Sequence, residues 1–287
     1  MRVLVTGSAG FIGSHATRYL AGKGFDMRGL DILSSRREER VDIGDGAAVQ
    51  RAIRRLAPDG ILHLGAYASV PGCEADPTKC LRTNVLGTVN VARAAEACGA
   101  RLVFASTAAV YGDHIPVPTS VDSPMEPTNF YGISKLAGEH VCRDYAPDST
   151  ALRLFNVYGE GCQRSYVIPD VIRKLSLHPT VLRMEGTGKE ARDFVYIDDA
   201  LWAMELALRG RFRGAYNVGT GTRTSVKSLA RQIAIALGQP KVRMLFAGPR
   251  AGDFRVSLAN ISGRNHVPEW RPRFTLARGL KRTIVGG

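Results

Sequence analysis

The stretch Thr6-Gly-Ser-Ala-Gly-Phe-Ile-Gly13 lies between a short apolar run, residues 2–5, and a segment with helical spacing, residues 11–21. Glycines let a backbone approach a pyrophosphate closely, and the unpaired N–H groups at a helix N-terminus attract negative charge. A glycine-rich turn between a strand and a helix is the context of a dinucleotide-binding fingerprint, although the spacing G-x-x-G-x-x-G differs from G-x-G-x-x-G. The stretch therefore predicts a strand, turn and helix that bind a dinucleotide.

A second predicted strand ends in Asp31, 18 residues after the last glycine of the turn. A carboxylate at this place can accept hydrogen bonds from both ribose hydroxyls, and it would repel a 2′-phosphate. Asp31 therefore favours NAD, whereas Arg36 and Arg37 nearby leave NADP open as an alternative. Asp42 and Ile43 are expected to lie near the adenine.

Strands and helices alternate along the first 155 residues. The expected helices cover residues 11–21, 45–56, 77–98 and 131–145, and the expected strands cover residues 2–5, 26–31, 60–64, 101–105 and 150–155. The alternation predicts an α/β fold, a Rossmann-type doubly wound parallel sheet that binds its ligand at the carboxyl ends of the strands. The segment 113–129 contains four prolines and is expected to be a loop.

After Asn156 the pattern becomes mixed, which predicts a smaller mixed α/β C-terminal substrate lobe. We expect residues 1–160 to form the NAD-binding Rossmann domain and residues 161–287 to form the substrate lobe, interleaved with the first domain.

The composition of the 287 residues is that of an ordinary globular protein. The five cysteines are scattered, the histidines lack the spacing of metal ligands, and no apolar run reaches the roughly 18 residues of a membrane helix. The net charge of +13 raises nucleic acid as a partner, but the basic residues are spread along the chain. We expect a cytoplasmic enzyme with an anionic substrate, without a signal peptide, a metal, a membrane contact or a nucleic-acid partner.

Tyr131-Gly-Ile-Ser-Lys135 places a phenol and an ammonium four residues apart, so a helix would present them on one face. A neighbouring ammonium favours the phenolate, and a tyrosine with a lowered pKa can transfer protons near neutral pH. An ordinary amphipathic helix can carry the same spacing. The pair gains its meaning from the dinucleotide-binding turn earlier in the chain.

Several motifs occur in order along the chain. They are Thr6 to Gly13, Asp31, His63-Leu-Gly-Ala66, Asn84-Val-Leu-Gly-Thr88, Ser106-Thr107, Val110-Tyr-Gly112, Tyr131 to Lys135, Arg153-Leu-Phe-Asn-Val-Tyr-Gly159, Arg192-Asp-Phe-Val-Tyr-Ile-Asp-Asp199, Tyr216-Asn-Val-Gly219 and Gly252-Asp-Phe-Arg-Val-Ser-Leu-Ala259. Together they resemble the extended short-chain dehydrogenase/reductase family, in its sugar-nucleotide epimerase/dehydratase branch. Within that branch the chain is most similar to the 4-epimerases of UDP-glucose and UDP-galactose.

The resemblance implies that Tyr131 transfers protons, that Lys135 lowers its pKa and binds the nicotinamide ribose, and that Thr107 bridges the sugar oxygen and Tyr131. The implied NAD site consists of Gly7, Gly10, Phe11, Ile12, Gly13, Asp31, Asp42, Ile43, Leu64, Gly65, Ala66, Asn84, Ser106, Tyr131, Lys135 and Phe155. The implied substrate site consists of Thr107, Asn156, Val167, Arg192, Arg250 and Asp253. An ion pair with Asp193 is the alternative role for Arg192, and His63 is expected to be a packing residue.

Two departures from the family pattern bear on the reaction. In the dehydratases and UDP-glucuronate decarboxylases of this branch an acid follows the Ser-Thr pair, but here Ala108 and Ala109 have no proton to give. This argues against elimination and favours redox chemistry at C4. Only ten residues separate Asp31 from Asp42, fewer than in typical 4-epimerases, which leaves a 4-ketoreductase open.

We therefore expect an NAD-dependent nucleotide-sugar 4-epimerase of the UDP-glucose/UDP-galactose type, acting by transient oxidation at C4 to a 4-keto intermediate and re-reduction. The alternative is a nucleotide-4-ketosugar reductase that uses NAD(P)H. A dinucleotide-sensing regulatory protein is disfavoured because both Tyr131 and Lys135 are present. The resemblance also implies a homodimer, formed through the helices that contain residues 84–98 and 131–145.

Overall fold

The computed structural model describes residues 1–33, 38–113, 115–210, 212–248 and 256–286. Of the residues named above, Arg36, Arg37, Arg250 and the first four residues of the last motif, 252–255, lie outside the described residues; Asp253 is among them. The strands are β1 (Arg2–Thr6), β2 (Asp26–Asp31), β3 (Glu38–Arg40), β4 (Gly60–His63), β5 (Arg101–Thr107), β6 (Ser149–Leu154), β7 (Asn156–Tyr158), β8 (Val181–Met184), β9 (Ala191–Tyr196), β10 (Gly214–Val218), β11 (Arg223–Ser225) and β12 (Arg243–Phe246). The helices are α1 (Phe11–Gly22), α2 (Gly46–Leu56), α3 (Val70–Ala75), α4 (Pro77–Leu81), α5 (Gly87–Cys98), α6 (Phe130–Tyr145), α7 (Val167–Leu177), α8 (Ile197–Arg209), α9 (Val226–Ala236) and α10 (Leu276–Val285).

The central sheet has seven strands in the order β10-β6-β5-β4-β1-β2-β3, and every pair of neighbours is parallel. The chain runs outward from β1 to β3, returns to β4 on the other side of β1, and then runs outward again. This is the strand order of a doubly wound Rossmann-type sheet, so the predicted fold class is confirmed. The order reverses between β1 and β4, where ligands bind in folds of this class.

Both faces of the sheet are covered, which explains why its strands are continuous apolar runs. Leu4 and Ile61 belong to a cluster with residues of α2 and α5, whereas Val5 and Leu62 belong to a cluster with residues of α1 and α8. Successive residues of a strand point to opposite faces, and all four of these side chains are fully buried. The apolar strands therefore hold two layers of helices.

The C-terminal part of the chain contributes to both parts of the fold. It adds β9 and β11 to a three-stranded sheet with β7, and it forms the pair β8 and β12. It also returns β10 to the central sheet, beside β6. The boundary between residues 160 and 161 remains a prediction. In the described ranges, no helix is long and apolar enough to cross a membrane.

Two helices differ in their ends in a way that permits a stability test. Ala57, the C-cap residue of α2, has φ 42° and ψ 61°, whereas the C-cap residue of α5 is Gly99 with φ 66°. Left-handed backbone strains a residue that carries Cβ. We expect Ala57→Gly to raise the free energy of unfolding by about 0.5–1 kcal/mol, and Gly99→Ala to lower it by about 1 kcal/mol. Urea unfolding measures both, and destabilisation by Ala57→Gly would contradict the argument.

Candidate active site

The candidate site lies where the sheet order reverses, at the carboxyl ends of β1 and β4. Gly7 follows β1 with a φ of 69°, and a Cβ added there would lie 2.8 Å from the Gly65 backbone. A Cβ at Gly13 would overlap the Gly7 carbonyl oxygen and lie 2.8 Å from Ser8 Cα. Gly10 donates its N–H to the Gly7 carbonyl at 3.1 Å and caps α1. A turn this tight requires glycine at Gly7 and Gly13.

The residues around this turn fit a bound dinucleotide. Ser8 is fully buried, and its Oγ has no hydrogen-bond partner within the described part of the chain. A buried hydroxyl without a partner costs free energy, so a ligand that bonds it is stabilised there. No side chain caps the N-terminus of α1, whose first residues are Phe11 and Ile12. The Ser8 hydroxyl and these backbone N–H groups suit the phosphates of a dinucleotide.

Asp31 ends β2 beside the glycine-rich turn. Its Oδ2 accepts a hydrogen bond from the Ala9 N–H at 3.0 Å, and its Oδ1 accepts one from the Leu33 N–H at 3.0 Å. The carboxylate therefore contacts the turn directly. This brings Asp31 and the glycines together, as the sequence spacing predicts.

Asp42 and Ile43 lie between β3 and α2. The Asp42 carboxylate is half exposed and lies 3.3 Å from the Arg82 guanidinium. Ile43 is buried, and a Cβ at Gly87 would lie 2.7 Å from its Cγ1. The role of both residues beside the adenine remains a prediction.

Asn84 connects two parts of the site. It lies in a π-helical turn, Arg82–Leu86, within the continuous helix expected over residues 77–98. Its buried side chain accepts from the Tyr67 N–H at 2.7 Å and donates to Ser134 Oγ at 2.9 Å. Asn84 thus holds the loop that begins with residues 64–66 against α6. Single π-helical turns are frequent at functional sites.

His63, at the end of β4, is a core residue. Its ring forms hydrogen bonds with Thr6 Oγ1 at 2.6 Å and with Thr88 Oγ1 at 3.0 Å. Burial, together with the Lys135 charge, lowers the pKa of His63 to about 3. The imidazole is therefore neutral near neutral pH and acts in packing.

Ser106 and Thr107 end β5, and α6 crosses beside them. The Lys135 ammonium is almost fully buried and donates to the Ala105 carbonyl at 2.8 Å. Burial lowers the pKa of Lys135 to about 8. Thr107 Oγ1 accepts from the Ala109 N–H at 3.2 Å at the start of a 3₁₀ turn. The 3₁₀ turn begins with Ala108 and Ala109, so neither of the two residues directly after Thr107 has an acidic side chain.

Tyr131 is the second residue of α6, whose N-cap is Asn129. Burial and the nearby Tyr166 phenol raise the pKa of Tyr131, and a hydrogen bond with Thr107 opposes this shift. The direction is opposite to the lowering expected from the Tyr131–Lys135 spacing. It differs because the largest effect on the Tyr131 pKa is burial of the phenol, which spacing does not reveal. The structure brings Thr107, Tyr131 and Lys135 together at one edge of the sheet.

Phe155, expected beside the nicotinamide, is buried directly after β6. Three of the expected substrate residues lie further along the chain on β7, α7 and β9, and of these Val167 begins α7. Asn156 is exposed, and its Nδ2 donates to the Asp193 carbonyl at 3.2 Å. Arg192 is partly buried in β9, and its Nη1 donates to the Ala191 carbonyl at 3.1 Å. Their contacts with a substrate remain predictions.

The Asp193 carboxylate has a structural role. It is fully buried and accepts hydrogen bonds from Thr220, through N–H and hydroxyl, and from the Gly221 and Ala259 N–H groups. Burial raises the pKa of Asp193, and these hydrogen bonds oppose that shift. The carboxylate joins β9 to the segments after β10 and around Ala259.

Two residues at the site were not found from the sequence. The Tyr166 hydroxyl donates to the Ala68 carbonyl at 3.2 Å and so joins the segment before α7 to the loop after β4. Nothing in the sequence around Tyr166 indicates this contact. Glu139 receives a hydrogen bond from Ser106 Oγ. Its spacing of four residues after Lys135, on the same helical face, could have indicated it.

Residues 3–219 match the NAD dependent epimerase/dehydratase family. The chain therefore belongs to the NAD-dependent epimerase/dehydratase family, and its cofactor is NAD.

Individual members of the family give a more specific comparison than the family model does. The chain is 34% identical over 307 aligned residues to a UDP-glucose 4-epimerase of Mycolicibacterium smegmatis, with 99% of this chain and 97% of the relative covered. It is similar to the structure of Thermotoga maritima UDP-glucose 4-epimerase with UDP-glucose, with TM-score 0.92, 30% identity, and 100% and 98% of the two chains covered. For the Thermus thermophilus UDP-glucose 4-epimerase in complex with NAD the TM-score is 0.88, with 30% identity and the same coverage.

Proposed function

We propose that this enzyme is a nucleotide-sugar 4-epimerase of the UDP-glucose/UDP-galactose type. It interconverts the two C4 epimers of a nucleotide-diphosphate sugar through a transient 4-keto sugar. The observation that carries the proposal is the grouping of Thr107, Tyr131 and Lys135 beside the glycine-rich turn, with alanines at 108 and 109. The full-length similarity to UDP-glucose 4-epimerases supports it.

In this proposal, side chains of the protein transfer the proton of the C4 hydroxyl. Tyr131 accepts the proton of the C4 hydroxyl through Thr107 and later returns it to the C4 oxygen. Lys135 supplies a buried positive charge at the end of β5, where it is held by the Ala105 carbonyl. When bound, NAD would accept the hydride that leaves C4 of the sugar, and its positive charge would favour the Tyr131 phenolate.

Epimerisation also requires that the sugar turn over while the nucleotide stays bound. Arg192 is our candidate for holding the diphosphate, because a guanidinium can donate two hydrogen bonds to phosphate oxygens at once. Asn156 and Val167 lie on neighbouring elements and are candidates for the sugar side. Arg250 and Asp253, outside the described residues, remain candidates for the same site. If the nucleotide is anchored, its binding energy can keep the reacting carbon in the site while either face of the sugar turns toward the cofactor.

The test is an assay without added cofactor. Purified enzyme is incubated separately with UDP-glucose and UDP-galactose, and their uronate and N-acetyl forms, and the C4 epimer is measured by chromatography. We expect the epimer of at least one sugar, since the reaction consumes no cofactor. Absence of an epimer from every sugar, with NAD present in the protein, would sink the proposal.

A second candidate is a nucleotide-4-ketosugar reductase. It is favoured by the short segment between Asp31 and Asp42, in which β3 adds a parallel edge strand to β2. The two candidates differ in cofactor use: a reductase oxidises one NAD(P)H for each 4-keto sugar reduced and shows no epimerisation without it. NAD retained through purification would count against the reductase.

We also propose a homodimer that forms through α5 and α6. Leu86, directly before α5, is 47% exposed, and Ile133 on α6 is 43% exposed, so each helix has an exposed apolar side chain on it or directly before it. Light scattering after size exclusion should give twice the mass of the chain; a monomer at micromolar concentration would contradict this.

We also propose a cytoplasmic location. The five cysteines are all unpaired, which supports it.

A further inference from the structure

A buried ion pair lies behind the catalytic edge of the sheet. Arg153, on β6, donates from Nη2 to Glu139 Oε2 at 2.7 Å and from Nε to Oε1 at 2.9 Å. The two side chains are only 4% and 9% exposed. This is the two-pronged geometry that fixes the relative orientation of a guanidinium and a carboxylate most firmly.

Glu139 connects this pair to the residues proposed to react. It lies one helical turn after Lys135 and two turns after Tyr131 on α6. Its Oε1 also accepts a hydrogen bond from Ser106 Oγ, and Ser106 is the residue before Thr107 on β5. One carboxylate therefore holds the strand end that carries Thr107 against the helix that carries Tyr131 and Lys135.

Arg153 extends the connection to the segment before α6. Its Nη1 donates to the Val121 carbonyl at 2.9 Å and to the Tyr111 hydroxyl at 3.0 Å. Its Nη2 lies 2.9 Å from Met125 Sδ. The proline-rich segment that leads to Tyr131 is thus fixed to β6 by the same guanidinium.

A buried ion pair is a poor source of stability, because the loss of hydration offsets most of the attraction between the charges. Here, however, the contacts of the pair join β5, which carries Thr107, to α6, which carries Tyr131 and Lys135. We propose that Glu139 and Arg153 are positioning residues, which set the distance between Thr107 and Tyr131 and the orientation of Lys135 for proton transfer. This inference rests on the proposed function of Tyr131 and Thr107.

Glu139 acts on Lys135 in a second way. Within the described residues, the ionisable groups near Lys135 include Tyr131, Glu139 and Cys142 on α6, Cys73 on α3, Cys80 on α4 and His63 at the end of β4. Burial lowers the pKa of Lys135, and the thiols and the Glu139 carboxylate oppose that shift. Without the carboxylate the ammonium would be lost at a lower pH. An activity that needs this ammonium would then lose its alkaline side at a lower pH as well.

The test uses three substitutions. Glu139→Gln removes the charge, Glu139→Asp keeps the charge but shortens the side chain, and Asp144→Asn is the matched control. Asp144 forms an exposed ion pair with Arg143 on the same helix. Turnover of the sugar that the wild type epimerises, NAD content and melting temperature are measured for each.

We expect Glu139→Gln to lower kcat about 100-fold, because small displacements of reacting groups are costly, with KM changed less than about threefold. Its kcat–pH profile should lose its alkaline side at a lower pH than that of the wild type. Glu139→Asp should lower kcat and keep the wild-type profile, since the charge remains. The control should match the wild type in every respect.

A Glu139→Gln enzyme with kcat within about threefold of wild type and an unchanged pH profile would overturn the inference. So would an equal loss in Asp144→Asn. A readout that needs no turnover is the pKa of Lys135, measured by NMR in protein with isotopically labelled lysine. It should fall in Glu139→Gln, and an unchanged value contradicts the inference. If Glu139→Gln does not fold, Glu139→Asp decides: wild-type kcat in that variant overturns the inference. A wild type without epimerase activity would refute the proposed function, while the NMR titration would still test the inference.

Discussion

Replacement of Tyr131 by phenylalanine is expected to lower turnover by about 1,000-fold or more, within the range that a single general acid–base group contributes. The phenylalanine keeps the ring and loses only the hydroxyl, which contacts Thr107. The backbone of α6 does not depend on that hydroxyl, because Asn129 caps the helix and Ser134 Oγ bonds the Tyr131 carbonyl. NAD content and melting temperature should therefore stay close to those of the wild type.

The matched control is Tyr145→Phe, which removes a phenol from the other end of the same helix. Tyr145 is 42% exposed and is the last residue of α6. It should retain wild-type turnover. If Tyr131→Phe kept more than about a tenth of the activity, the proton would have to pass through another group and the assignment would fail.

Gly13→Ala is expected to remove NAD from the enzyme and to unfold it more easily. The added Cβ would overlap the Gly7 carbonyl oxygen and approach Ser8 Cα to 2.8 Å, and both are backbone atoms that cannot rotate away. The turn must therefore open. We expect a loss of about 1–3 kcal/mol of unfolding free energy, as for an overpacked site, and NAD below about a tenth of stoichiometric.

Gly22→Ala tests whether any methyl group in α1 has this effect. Gly22 is the last residue of the same helix, and an added Cβ there meets no atom within 4 Å. It should stabilise the protein by about 0.5–1 kcal/mol and leave NAD bound. Stoichiometric NAD in purified Gly13→Ala would show that NAD binding does not require glycine at this position of the turn.

The part of the fold that was predicted correctly is the part that local pattern encodes. The glycine-rich turn, Asp31 and the apolar strands are each defined by residues close in sequence, and the spacing that places Tyr131 and Lys135 on one helix is local as well. The strand order and the similarity to UDP-glucose 4-epimerases confirm the fold class and the expected class of reaction. Local pattern sufficed because each element buries a continuous apolar run.

The features that were missed depend on partners far apart in the chain. β10 pairs with β6 about 60 residues earlier, and neither strand shows which neighbour it will have. The helix expected over residues 77–98 is continuous, but it contains a π-helical turn with Asn84 that the sequence did not indicate, and the partners of Asn84 lie on the loop after β4 and on α6. The pKa of Tyr131 was expected in the wrong direction because the burial of a side chain is a property of the whole fold.

The pairing of β10 with β6 joins a late segment of the chain to the central sheet in one folding unit. A chain that stopped near residue 160 would leave the backbone of β6 unpaired along one edge, a surface that recruits strands from other molecules. During synthesis this edge stays open until residues 214–218 have emerged. The enzyme therefore depends on its late residues to protect its early ones from aggregation, and its two parts are expected to unfold together in a single transition.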